Sequence, residues 1–141
     1  MTQVSVPESQ DNGSFLAEVN GSREVRRGLP VLNGTANNQV KPMAGTETTN
    51  TVIQGIAQED ANAADAVRVA VGGQVAIARV KGTPSRGDYL EAKTGSTTDA
   101  ENGSLEVRAP AAGDFIVARA LESGTDQAYI KVLVMLIQFP S

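Results

Sequence analysis

The sequence predicts an all-β domain, mainly antiparallel, on three observations. From Gly28 onward, short apolar stretches are separated by Gly, Asn, Asp and Pro, which is the punctuation of antiparallel strands. The β-branched residues alternate, as in Val67, Val69 and Val71 around Arg68 and Ala70. Only residues 58–66, with Ala61, Ala63 and Ala64, read as a helix, and a short one.

Taken in order, residues 1–23 are rich in Ser, Asn, Gln, Glu and Gly and hold one apolar cluster, Phe15, Leu16 and Val19. They are expected to form an extended arm, either a tail or a segment that orders on a partner, ahead of a β-rich domain spanning residues 24–141. Expected strands follow at 29–32, 39–43 and 52–57, then the short helix at 58–66. Residues 67–80 predict a hairpin, with Gly72-Gly73 supplying the positive φ angles of a tight turn. The remaining strands are expected at 89–93, 105–108, 115–121 and 129–139. The last is almost continuously apolar, so it should be central and covered on both faces, or lie in a subunit interface.

Two of the turns share a pattern. Gly87-Asp88-Tyr89-Leu90 and Gly113-Asp114-Phe115-Ile116 each place Gly-Asp before an aromatic and an aliphatic residue. Gly makes the turn and Asp caps local backbone N–H groups. Asn-Gly pairs at Asn12, Asn20, Asn33 and Asn102 are read the same way, as turns, although each also heads an Asn-Gly-Ser/Thr acceptor pattern.

Composition narrows function. The 141 residues suit one domain, with a core built on Val, Ile, Leu and Ala because aromatic residues make up only 4%. A net charge of −4 gives no general attraction to nucleic acid phosphates. The chain has no His and no Cys, which removes the usual nucleophile–base pairs, disulfides and zinc sites. No cofactor, metal or catalytic residue is expected, and the protein is read as a non-enzyme. The longest apolar run, at 132–137, is far below the roughly 20 residues a spanning helix needs, and the N-terminus lacks a secretory pattern, so a soluble protein made in a cytoplasm is expected.

The motifs that carry chemistry elsewhere have plainer readings. Arg86-Gly87-Asp88 spells an adhesive tripeptide, but the Gly113-Asp114 echo gives Gly-Asp a structural use. Glu59, Asp60 and Asp65 lack the alternate spacing of a calcium loop, and Asp99 and Glu101 lack apolar surroundings to perturb them. Arg23, Arg26 and Arg27, where the arm meets the domain, form the one local charge reversal; a solvated strand face is the default reading, and arginines beside an arm also suit carboxylates on a partner surface.

From Val25 to the end, the order of features resembles the capsid decoration, or cement, proteins of tailed bacteriophages. The residues that carry this are Arg27-Gly28-Leu29-Pro30-Val31, Val52-Ile53-Gln54-Gly55-Ile56-Ala57, the Ala-rich step to Ala66 and the stretch around Gly72-Gly73. Pro84-Ser85-Arg86-Gly87-Asp88-Tyr89-Leu90, Phe115-Ile116-Val117-Ala118-Arg119-Ala120-Leu121-Glu122 and the terminal Val-Leu-rich strand complete it. The resemblance implies a compact barrel-like or tulip-like unit, commonly a homotrimer, on the outer surface of an expanded head, clamping neighbouring major capsid proteins together in the virion. The negative net charge and the lack of a long apolar run give the expectation of no nucleic acid and no membrane partner. Under the resemblance, Phe15, Leu16 and Val19 would fill pockets of a coat protein while Arg23, Arg26 and Arg27 pair with its carboxylates. Deleting residues 1–20 is then expected to abolish or sharply weaken head binding and leave the domain folded. A trimeric virion fibre or receptor-binding module using loop 94–103, and a carboxylate-only enzyme pairing Asp88 or Asp114 with Glu91, are the other classes considered.

Overall fold

A computed structural model describes residues 14–21, 23–44, 53–92 and 103–140. Within them ten strands form: β1 (Ser14–Ala17), β2 (Pro30–Asn33), β3 (Gln39–Pro42), β4 (Ile53–Ala57), β5 (Ala66–Ala70), β6 (Val75–Arg79), β7 (Tyr89–Ala92), β8 (Leu105–Val107), β9 (Phe115–Ala120) and β10 (Tyr129–Gln138). The first five close into a barrel in the order β1-β3-β2-β4-β5, and the second five form a sheet in the order β6-β10-β9-β7-β8. All named strand pairings are antiparallel except β1 with β3. The strands expected at 29–32 through 129–139 recur as β2 to β10, with no end displaced by more than one residue.

Two apolar cores follow from the alternation of side chains along the strands. Ala17, Val25, Val31, Val40, Ala57, Ala61, Val67 and Val69 fill the barrel. Their neighbours Leu32, Ile53, Ile56 and Ala70 point the other way and pack with Ala76, Leu90, Val117, Ile130 and Val132 of the sheet. Strands β2 and β4 are therefore buried on both faces, which explains the unbroken apolar runs at Pro30–Leu32 and Ile56–Ala57.

The seam between barrel and sheet is held partly by one side chain. Gln58 accepts a hydrogen bond from the Ile77 amide at 3.0 Å and donates to the Ile77 carbonyl at 3.2 Å, standing in for a neighbouring strand at the β6 edge. Its Nε2 also reaches the carbonyls of Ile56 and Ala57. Gln58→Ala leaves both Ile77 groups unpaired and is expected to cost about 2 kcal/mol. Gln58→Glu, which cannot donate, should fall between the two in urea denaturation midpoint.

Seven four-residue turns share one geometry, each with its third residue at positive φ: Gly28, Asn38, Ala64, Gly73, Gly87, Gly113 and Gln127. This is what a type II turn demands. In five of them the fourth residue caps the first, its side-chain oxygen accepting the first residue's N–H: Gln39 to Ala36, Asp65 to Asn62, Gln74 to Val71, Asp88 to Ser85 and Asp114 to Ala111. Each capped turn delivers the chain into a strand. The Gly-Asp echo is thus one form of a wider device in which Gln serves as well as Asp.

Three expectations are corrected. Residues 58–66 are not a helix: Ala64 sits at φ 72°, Asn62–Asp65 is one of the capped turns, and Ala61 bridges to Val25. Good helix propensity over so few residues cannot outweigh tertiary pairing. Residues 67–80 are not a hairpin: β5 pairs with β1 and β4, and β6 pairs with β10. At Gly72-Gly73 the chain leaves the barrel and enters the sheet, where the Gly73 amide donates to the Val134 carbonyl. Finally, the part of the expected arm that is described does not stand away from the domain, because Ser14–Ala17 is the strand that closes the barrel.

Candidate interaction surface

The six residues singled out for partner binding are divided among four places. Phe15 packs against the barrel core, so its ring is already engaged. Leu16 and Val19 remain open at 44% and 42% exposure on the β1 side of the barrel. Arg23 and Arg26 border a crevice with Glu24, Leu29, Pro30, Pro42 and Met43; its volume of about 10 Å³ has room for one water molecule at most. Arg26 also pairs with Glu24 at 3.2 Å. Arg27 leaves this group altogether, its guanidinium lying 4.7 Å from the centre of the Tyr129 ring.

That contact opens onto the outer face of the sheet. Arg79, opposite Tyr129 in register, places a second guanidinium 5.8 Å from the same ring. One row further, Lys131 stands between Ile77 of β6 and Leu121, whose amide donates to the Lys131 carbonyl. In the next row Val75, Leu133, Arg119 and Tyr89 follow one another across four strands. Arg119 lies 5.6 Å from the Tyr89 ring and donates to the Gly87 carbonyl. Tyr129, Val75 and Leu121 are exposed at 42%, 58% and 38%. Strand β10 is thus central, as expected, but its outward face is only partly covered. The sequence marks this strand by its apolar run, whereas the arginines that join it come from distant positions and are not readable as a group.

A second concavity, of about 360 Å³, lies at the β2–β3 turn and is lined by Phe15, Asn33, Asn37, Asn38, Gln39 and Gln54 among others. Thr35 on its rim is held by Glu18, which accepts from both its amide and its hydroxyl. Its chemistry is that of amide donors and acceptors, suited to neutral polar groups.

The acidic candidates have backbone partners. Glu59 accepts from the Arg68 amide, Asp60 from the Arg27 amide and Asp65 from the Asn62 amide. Asp99 and Glu101 lie outside the described residues. Among the described residues no group of three or more His, Cys, Asp or Glu side chains is placed to hold a metal. In Arg86-Gly87-Asp88 the Asp carboxylate is occupied by the Ser85 amide of its own turn.

Glu91 and Asp114 do approach each other, with Arg108 between them. Arg108 grips Asp114 through two hydrogen bonds of 2.9 Å and lies 3.9 Å from Glu91. Burial raises the Glu91 pKa, partly countered by Arg108, while the Arg108 and Ala111 hydrogen bonds lower that of Asp114. A carboxylate whose folded pKa is depressed stabilises the fold above its unfolded pKa and ceases to do so as pH falls through the folded value. The melting temperature is therefore expected to drop in the acid range below the usual carboxylate pKa, and Asp114→Asn should remove part of that drop while lowering the melting temperature at neutral pH.

No family model and no curated protein matches the chain. Among solved structures, it is similar to the crystal structure of the head fibre gp8.5 N base of bacteriophage phi29, with a TM-score of 0.61. The likeness covers 91% of this chain and 98% of that one at 12% sequence identity, so the two share a fold.

Proposed function

We propose that the protein is a non-catalytic structural component of a phage head, binding its outer surface and stabilising contacts between major capsid proteins. The observation that carries this reading is the fold shared with a head fibre base over nearly the full length of both chains. The sequence resemblance to cement proteins agrees with it. Homotrimers, with no nucleic acid or membrane partner, belong to the proposal, as does docking through the β1 side of the barrel, where Leu16 and Val19 are exposed. Many moderate contacts made by a multivalent unit would give stable attachment.

Cosedimentation with expanded heads lacking the protein tests this directly. Saturable binding, with heads that then survive heat or low-salt challenge, is the expected result. Absence of binding to any such head would overturn it. The amide-lined cleft favours a second reading, a receptor-binding module on the virion; retention of the purified protein on host cells, lost on Asn33→Ala with Gln54→Ala, would select that one.

A further inference from the structure

We infer that the outer face of β6, β10, β9 and the start of β7 is a second docking face, and that its occupant is an acidic protein surface. The inference rests on the proposed head-associated role and adds to it the partner's chemistry and a geometry for bridging.

The composition of the face is that of an interface. Val75, Leu133 and Leu121 give it an apolar centre, and both tyrosines of the chain lie on it, each beneath at least one guanidinium. Tyr and Arg are the residues most enriched where binding energy concentrates. An arginine stacked on an aromatic ring is held in place before binding, so less side-chain entropy is lost on docking. Lys131, at the centre of the rows, is exposed and makes no ion pair among the described residues.

Charge decides the occupant. Arg27, Arg79, Arg119 and Lys131 gather on one face of a chain whose net charge is −4; the acids bordering them include Glu122, Asp60 and Asp88, each with a carboxylate oxygen taken by a backbone amide. Two copies meeting through this same face would bring those cations together, which disfavours a self-complementary dimer. An acidic surface on another protein answers both the apolar centre and the basic rim.

The position of the face matters as much as its content. In the ring β1-β3-β2-β4-β5, the β2–β4 side packs on the inner face of the sheet, and β1 is the strand across from it. Leu16 and Val19 therefore lie at one end of the molecule and the Arg–Tyr face at the other, with both cores between them. A molecule that joins two neighbours needs two contact faces, and this arrangement supplies them.

Charge reversal at Arg119→Glu with Lys131→Glu tests the inference, beside Arg119→Lys with Lys131→Arg, each checked for an unchanged melting temperature. Head binding should weaken at least tenfold in the reversed protein, with a shallower salt dependence, and be retained in the conservative one. Equal binding by the reversed protein would overturn the second face while leaving the head-associated role intact. A reversed protein that changes its oligomeric state but binds normally would also overturn it, since the occupant would then be another copy. If the wild-type protein binds no heads, the role itself fails, and titration with a glutamate decapeptide followed by NMR decides the face separately. Shifts confined to Tyr129, Lys131, Arg119 and their row neighbours would uphold an acidic partner; none there would overturn it.

Discussion

Removal of residues 1–20 is expected to abolish cooperative folding, whereas removal of residues 1–13 should leave the melting transition unchanged. The difference lies in β1. Its loss strips the Asn38, Val40 and Asp65 carbonyls of the donors supplied by Leu16, Glu18 and Ala17, and takes the Ala17 carbonyl from the Ala64 amide. Each such hydrogen bond contributes about 1 kcal/mol net, and more where the orphaned group stays buried. Phe15 and buried Ala17 leave the barrel core with it, and removing an aromatic side chain from a core costs roughly 3 kcal/mol when burial is complete and less when it is partial. The total is comparable with the whole stability of a domain, about 5–15 kcal/mol. The barrel would also open, exposing the edges of β3 and β5 to pairing with other chains. Circular dichroism melts of the two truncated proteins decide the matter. A sharp, native-like transition without residues 14–20 would mean that barrel closure is dispensable. It follows that head binding should be compared using the 1–13 deletion, because loss of binding without residues 1–20 would report unfolding.

The sequence shows where strands lie far better than which strands meet. Alternating Val and Ile residues bounded by Gly, Asn and Asp locate β2 to β10 because side-chain direction and turn chemistry are local properties. Pairing is not local. At Gly72-Gly73 the residues suit a hairpin equally well, and only the availability of β10 on one side and of β1 and β4 on the other separates β5 from β6. Strand β1 is four residues in a polar stretch, with Leu16 facing out, so nothing in Ser-Phe-Leu-Ala separates a strand from an arm. The helix reading at 58–66 fails on Asp65, whose capping of Asn62 looks, in sequence, like any acidic residue among alanines. The candidate site divides the same way. Arg27 is visible as part of a basic cluster, but the Tyr129 ring it covers is far along the chain and is brought there by the fold.

Gly28→Ala should cost a large part of the domain's stability, because a methyl group added there meets both backbone strain and overlap at the barrel–sheet seam. Gly28 lies at φ 83°, donates to the Ala57 carbonyl at the end of β4 and accepts from the Arg79 amide of β6. A Cβ there would stand 2.8 Å from Tyr129 Cε1 and 2.9 Å from the Arg79 nitrogen. The left-handed backbone alone costs a side chain about 1–2 kcal/mol. The overlap adds more, since Arg79's amide is backbone and moving it breaks the bond that ties β6 to the barrel. A total near 3–4 kcal/mol corresponds to a fall of roughly 10 °C in melting temperature for a domain of this size. Gly73→Ala separates the two contributions, because Gly73 is at φ 91° and a methyl group added there would meet nothing within 4 Å; it should show the backbone cost alone. Adding Tyr129→Ala to Gly28→Ala removes the ring overlap but leaves the Arg79 nitrogen in place, so only part of the loss should return. Equal melting temperatures for Gly28→Ala and Gly73→Ala would show that the seam gives way without cost, and that barrel and sheet are not held in register at this point.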